Sequence, residues 1–183
     1  VLLVDGDDRW QFQTAENPNC TNHAFAAIAG RSISGPVFET AHHNAVIDGT
    51  VQLTNYPATV WLLGEEGAAD ESFTSTEQSL VAAYLNAGGN LFVSGSECGY
   101  DLDRSSGPTT ADRTFYHNQL RAVYSSDDAN TYAFTPASGG IFANDAPGGF
   151  DNGTRGTYNV DSPDVLVPTY GSIQAISYSG GLG

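Results

Sequence analysis

Three short acidic runs each follow an apolar stretch. Asp5, Asp7 and Asp8 come after Val1-Leu2-Leu3-Val4. Glu65 and Glu66, with Asp70 and Glu71 close behind, follow Trp61-Leu62-Leu63, and Glu97, Asp101 and Asp103 follow Leu91-Phe92-Val93. Carboxylates gathered in one place either raise one another's pKa or hold a cation. As a catalytic set, Glu97 with Glu65 or Glu66 would serve as acid and base on a glycosidic bond. As a cation set, Asp7, Asp8, Asp101 and Asp103 would supply loop carboxylates to calcium. The spacing Asp101-x-Asp103-x-Ser105 resembles a calcium loop, but Ser106 stands where an EF-hand needs glycine.

The sharpest local pattern is Ser94-Gly95-Ser96-Glu97-Cys98-Gly99. A buried strand running into Gly-x-X-x-Gly has the form of a nucleophile elbow, whose middle residue is exposed by a tight strand-to-helix turn. Here the middle slot holds Glu97, with Ser96 and Cys98 each one place off. Ser96 remains a candidate nucleophile for an ester or amide, with His23, His42, His43 or His117 as base. No spacing singles out one of these histidines. Trp10 and Tyr100, expected in loops, are candidates for stacking on a sugar, with Asp5 and Asp7 as further ligand-binding groups. Trp61 lies within an apolar run and is expected in the core. Cys20 and Cys98, the only cysteines, are expected to pair as one disulfide in an oxidising compartment.

The elements that must position these residues alternate between strand and helix. Residues 1–4, 59–63 and 91–93 read as strands buried on both faces, and Val37-Phe38 as the start of a short strand. Residues 23–31 are helix-compatible, whereas 41–57 read mostly as loop. The clearest helix starts at Thr74, with Glu77 completing a capping box, and presents Leu80, Val81, Tyr84 and Leu85 on one face before Gly88-Gly89 stops it. A further helix is expected over 112–123. This alternation predicts an α/β fold with a mostly parallel sheet. Its strand ends would gather the acidic runs at one edge, where such sheets bind ligands. From Tyr124 onward Gly, Asn, Asp, Ser and Pro punctuate short segments (132–134, 165–167, 173–178), expected as hairpins or edge strands. Residues 1–183 thus form one domain, with a core over 1–123 and a β-rich extension over 124–183.

The 183 residues carry a net charge of −15, and all six bases are arginine. So acidic a surface repels phosphate backbones and anionic lipid, arguing against nucleic acid and membrane partners. No apolar run approaches the roughly 20 residues that span a bilayer. The absence of lysine and the wealth of Asp, Asn, Gly, Ser and Thr suggest a secreted protein. Because the chain opens on Val1 inside a strand, it is expected to be a module of a longer or processed protein.

The runs Val1-Leu2-Leu3-Val4-Asp5-Gly6, Trp61-Leu62-Leu63-Gly64-Glu65-Glu66 and Gly88-Gly89-Asn90-Leu91-Phe92-Val93-Ser94-Gly95-Ser96-Glu97 resemble secreted bacterial modules with a class I glutamine amidotransferase-like fold. Such modules occur in large extracellular proteins labelled xanthan lyase or N-acetylmuramoyl-L-alanine amidase. The resemblance covers the chain to about Ser177. It implies a three-layer, flavodoxin-like sheet with helices on both faces, an extracellular location and an association with glycan or cell-wall breakdown. The catalytic cysteine of that fold occupies the elbow slot, which is Glu97 here, so the resemblance does not carry amidotransferase activity across. Two functions are therefore expected. One is an accessory module binding a glycan or cell-wall polymer, calcium or both, beside other modules of a parent protein. The other is a hydrolase acting at the same edge.

Overall fold

The computed structural model describes residues 1–9, 23–155, 158–160 and 162–180. It shows a mixed α/β fold built on a four-stranded parallel sheet whose strands, in spatial order, are β2 (Glu39–His42), β1 (Leu2–Asp5), β3 (Ala58–Gly64) and β4 (Asn90–Gly95). Strand β1 (Leu2–Asp5) is buried along its whole length, as its unbroken apolar run requires. It pairs with β2 (Glu39–His42) on one side and β3 (Ala58–Gly64) on the other, with Val4 opposite both Ala41 and Trp61. Strand β4 (Asn90–Gly95) closes the far edge against β3. Leu2, Val4, Trp61 and Leu63 share one core cluster with Val81 and Tyr84 of α3 (Ser75–Asn86). Trp61 has no exposed surface and its ring lies 5.2 Å from that of Phe73, so it is core, as expected.

Helix α1 (Ala24–Ser32) contacts β1 and β3, with Gly30 beside Leu3. Helix α2 (His43–Ile47) follows β2 directly. The expected capping box is present: Thr74 Oγ1 accepts from Glu77 N, and Glu77 Oε2 accepts from Thr74 N at 2.7 Å. Past Gly95, α4 (Cys98–Asp103) leads to α5 (Thr110–Phe115), which has its own capping box from Thr109 and Asp112.

Helices α2 and α4 stand where loop was expected, and two further elements depart from the sequence expectation. The second strand occupies residues 39–42, not Val37-Phe38. It is an edge strand with two exposed and two half-buried residues, so no apolar run marks it. The helix expected over 112–123 ends in a π-helical turn, Tyr116–Leu120, and Arg121 at φ 61° reverses the chain. Val123 therefore belongs to β5 (Ala122–Ser126), which pairs antiparallel with β8 (Val165–Pro168). The remaining strands, β6 (Ala133–Pro136), β7 (Gly148–Gly149) and β9 (Ile176–Tyr178), form a second antiparallel sheet in the order β7-β6-β9. The C-terminal segments are thus β-rich as expected, and antiparallel where the core sheet is parallel.

Candidate functional site

The order β2-β1-β3-β4 reverses direction between β1 and β3, and a crevice beyond the carboxyl ends of those two strands is where open parallel sheets bind ligands. The chain fills this crevice with carboxylates and histidines. His43 is at its centre, buried, with Nδ1 2.7 Å from Glu77 Oε1 and Nε2 2.9 Å from Asp8 Oδ1. Its ring lies 4.4 Å from that of His42. His42 Nδ1 accepts from Asn44 N at 3.3 Å, while its Nε2 is buried without a hydrogen-bond partner among the described residues. His23, just before α1, places Nδ1 2.5 Å from Asp5 Oδ2 and its ring edge-on to His42. Asp8 N donates to Glu66 Oε1, and Glu66 is fully buried.

Burial dominates the electrostatics here. It pushes the Glu66 carboxyl up to about 10 against the Asp8 N–H it accepts, with the Asp8 and Asp7 charges adding. It pushes the Asp7 carboxyl up to about 7, despite the N–H of Arg9. Burial also works against a charged His43, but the hydrogen bond and charge of Glu77, with Asp8 behind them, raise its pKa overall. His42 moves the other way, lowered by burial and by the neighbouring His43.

A second group surrounds Arg9. Its guanidinium donates to Asp70 Oδ2 at 2.6 Å and to the Glu65 carbonyl at 2.7 Å, and the charges of Glu65 and Glu97 also act on it. The Glu97 carboxylate lies against Gly67. Glu65 and Glu97 are thus brought together around a cation, whereas Glu66 turns inward to Asp8.

The expected elbow has an ordinary backbone. Glu97, at φ −124°, precedes α4, and no residue from Ser94 to Gly99 has positive φ. Gly95 and Gly99 are needed for packing, since a Cβ on them would lie 2.8 Å from Leu63 Cβ and 2.7 Å from the Tyr116 hydroxyl. Ser96 N donates to the Gly64 carbonyl, and among the described residues no hydrogen bond joins its hydroxyl to a histidine. Asp164, at 6% exposure, takes up this turn: its Oδ2 accepts from Gly99 N at 2.7 Å and Tyr100 N at 2.9 Å, and its own N–H donates to the Ser96 carbonyl. Cys98 is a free thiol, held well above its ordinary pKa by burial, and so a poor nucleophile. Its expected partner Cys20 lies outside the described residues, as does Trp10.

Tyr100, Asp101 and Asp103 are on α4 and not in a loop. The Arg104 guanidinium covers the Tyr100 ring at 4.9 Å. Asp101 accepts from Ser72 N, and Asp103 accepts from Tyr124 N and meets His117 at 2.9 Å. Both are engaged by protein groups, apart from the Asp8 cluster.

Beside the crevice opens a cleft of about 690 Å³, with Phe25, Leu62, Phe92, Ser96, Tyr158 and Asp164 among its walls. Gly64 on the cleft wall is packed tightly between the two, since a Cβ there would lie 2.5 Å from the Phe25 ring and 3.0 Å from Asp7 Cγ.

Compared with known protein families, curated proteins and solved structures, the chain matches none. Function rests on the site itself. The acidic runs after the apolar strands point to Asp5, Asp7, Asp8 and Glu66 at this edge, whereas no spacing singles out His23, His42, His43, Arg9 or Asp164, and Glu77 is marked only as a cap. His42-His43 ends a strand adjacent to β1, so the rule that located the acids also locates these histidines once β2 is placed at residues 39–42.

Proposed function

We propose that this chain is a hydrolytic module of an extracellular polysaccharide- or cell-wall-degrading system, with its catalytic centre in the crevice between the ends of β1 and β3. The observation that carries this is the Glu77–His43–Asp8 chain, its glutamate and histidine buried, with bonds of 2.7 and 2.9 Å, at the point where the strand order reverses. A histidine held by a buried carboxylate on one nitrogen, with the other on the half-exposed Asp8 carboxylate, can serve as a general acid–base or as a metal ligand. His23 on Asp5 repeats the pairing nearby. The resemblance to amidotransferase-like modules, with a flavodoxin-like three-layer core, fits the strand order and supplies the substrate class: a glycan or cell-wall polymer. The aromatic walls of the adjoining cleft offer such a polymer a stacking surface. Arg9 among Glu65, Asp70 and Glu97 favours a binding role for that flank over an acid–base pair.

The purified chain would be assayed on acetylated sugars, peptidoglycan and anionic polysaccharides, comparing wild type with His43→Gln, Ser96→Ala and Glu97→Gln. His43→Gln is expected to lower turnover by about 100-fold or more, with Ser96→Ala near wild type and Glu97→Gln raising KM more than it lowers kcat. Turnover that survives His43→Gln and is lost in Ser96→Ala or Glu97→Gln refutes this assignment.

A further inference from the structure

We propose that Asp8, His42 and His43 bind one divalent transition-metal ion of the zinc class. Each offers one ligand atom, and the three atoms lie within 4.8 Å of one another. Neighbouring ligands on a tetrahedral zinc ion, with bonds of about 2.0–2.1 Å, are about 3.3 Å apart. The 2.9 Å between His43 Nε2 and Asp8 Oδ1 therefore needs to open by only about 0.4 Å to admit such an ion. Asp8 can supply that movement, because its side chain is 45% exposed.

Two independent features point to an ion. First, His43 already has the outer-shell partner that metal-ligating histidines carry: Nδ1 faces the buried Glu77 carboxylate, which fixes the ring and aims Nε2 at the site. Second, His42 keeps a buried Nε2 that the described residues leave without a partner, and its other nitrogen has only the 3.3 Å contact with Asn44 N. A buried polar atom with nothing to serve is rare in a folded chain, and coordination gives it a partner.

The donor set selects the metal. Two imidazoles and one carboxylate suit zinc or iron, whereas calcium takes six to eight oxygens. Three protein ligands leave one position for water or substrate, which is the pattern of catalytic zinc and not of closed structural sites. The ion would take His43 Nε2 as a ligand in the crevice of the hydrolytic centre proposed above, a role that replaces proton transfer at that atom while the ion is bound, and its binding stands without any turnover.

The test uses the full chain, stripped with a chelator and titrated with zinc or calcium chloride in a calorimeter, with cobalt absorption as a second readout. Expected are one zinc per chain, a cobalt visible band of low coordination number, and no displacement of zinc by equimolar calcium. Asp8→Asn and His42→Gln should each weaken zinc at least 10-fold, and Glu77→Gln by about 10- to 100-fold. The exposed Glu71→Gln should leave it unchanged. Asp8→Asn is nearly isosteric at a half-exposed position, so it remains informative where a histidine variant does not fold. The metal site is overturned by absence of stoichiometric zinc binding, by binding that Asp8→Asn and His42→Gln leave intact, or by displacement by calcium. Turnover without zinc binding refutes the metal site alone. Zinc binding without turnover refutes the hydrolytic role alone.

Discussion

Asp164→Asn should remove a measurable part of the pH dependence of stability. The Asp164 side chain is buried, and burial raises its carboxyl from 3.8 to about 7, against the Gly99 and Tyr100 N–H groups that favour the charged form. A folded-state pKa above the unfolded value means that the folded chain binds more protons between those two pH values. Stability from this group is therefore fully present at acid pH and lost as pH rises through about 4 to 7. At 1.36 kcal/mol per unit, the loss between pH 5 and pH 8 is about 2.5 kcal/mol. Asparagine keeps the acceptor for Gly99 N and Tyr100 N and carries no charge at any pH. Relative to wild type, the variant should therefore gain about 2.5 kcal/mol between pH 5 and pH 8. Urea unfolding of both proteins at the two pH values measures the difference, and the comparison cancels the self-repulsion of a chain with net charge −15. Equal declines in the two proteins would show that Asp164 is already charged in the folded state and would refute the assignment.

Two further substitutions test packing and capping. Thr74→Ala removes the hydroxyl that accepts from Glu77 N, and urea unfolding should show a loss of about 1 kcal/mol. Gly89→Ala places a methyl against the ring of Tyr84, which is held by hydrogen bonds to the Tyr56 and Asn90 carbonyls. A loss of about 1–3 kcal/mol is expected in the same assay, whereas an unchanged midpoint would mean that the ring moves freely.

What the sequence revealed follows from how locally each element is encoded. Strands β1 and β3 announce themselves because strands paired on both sides need apolar side chains, and Leu2-Leu3-Val4 and Trp61-Leu62-Leu63 supply them; β4 is found where expected, but as an edge strand it leaves Phe92 half-exposed and is not buried on both faces. The cap of α3 is a four-residue contact and is equally plain. Strand β2 is half-exposed at an edge, so Glu-Thr-Ala-His carries no such signal. With a strand expected at Val37-Phe38 instead of 39–42, His42 and His43 follow no strand end and are two of four histidines that no spacing singles out. The first two residues of β5, Ala122 and Val123, read as the end of a helix because its ladder partner, β8, begins 39 residues past its own last residue.

Glu77 shows why a site of this kind escapes a local reading even where every local feature is right. Its role as a cap is visible in Thr74-x-x-Glu77, and the structure uses Oε2 for that purpose. The other oxygen, Oε1, holds His43, 34 residues away in sequence. One buried carboxylate therefore both starts α3 and orients the histidine at the strand-order reversal. The two duties are separable by substitution. Glu77→Gln keeps an oxygen for one partner but offers an N–H₂ to the other, so either the helix start or the ring orientation must yield. Thr74→Ala weakens the cap and leaves Oε1 on His43. If the coupling is real, Glu77→Gln should impair both stability and whatever His43 does, and Thr74→Ala stability alone.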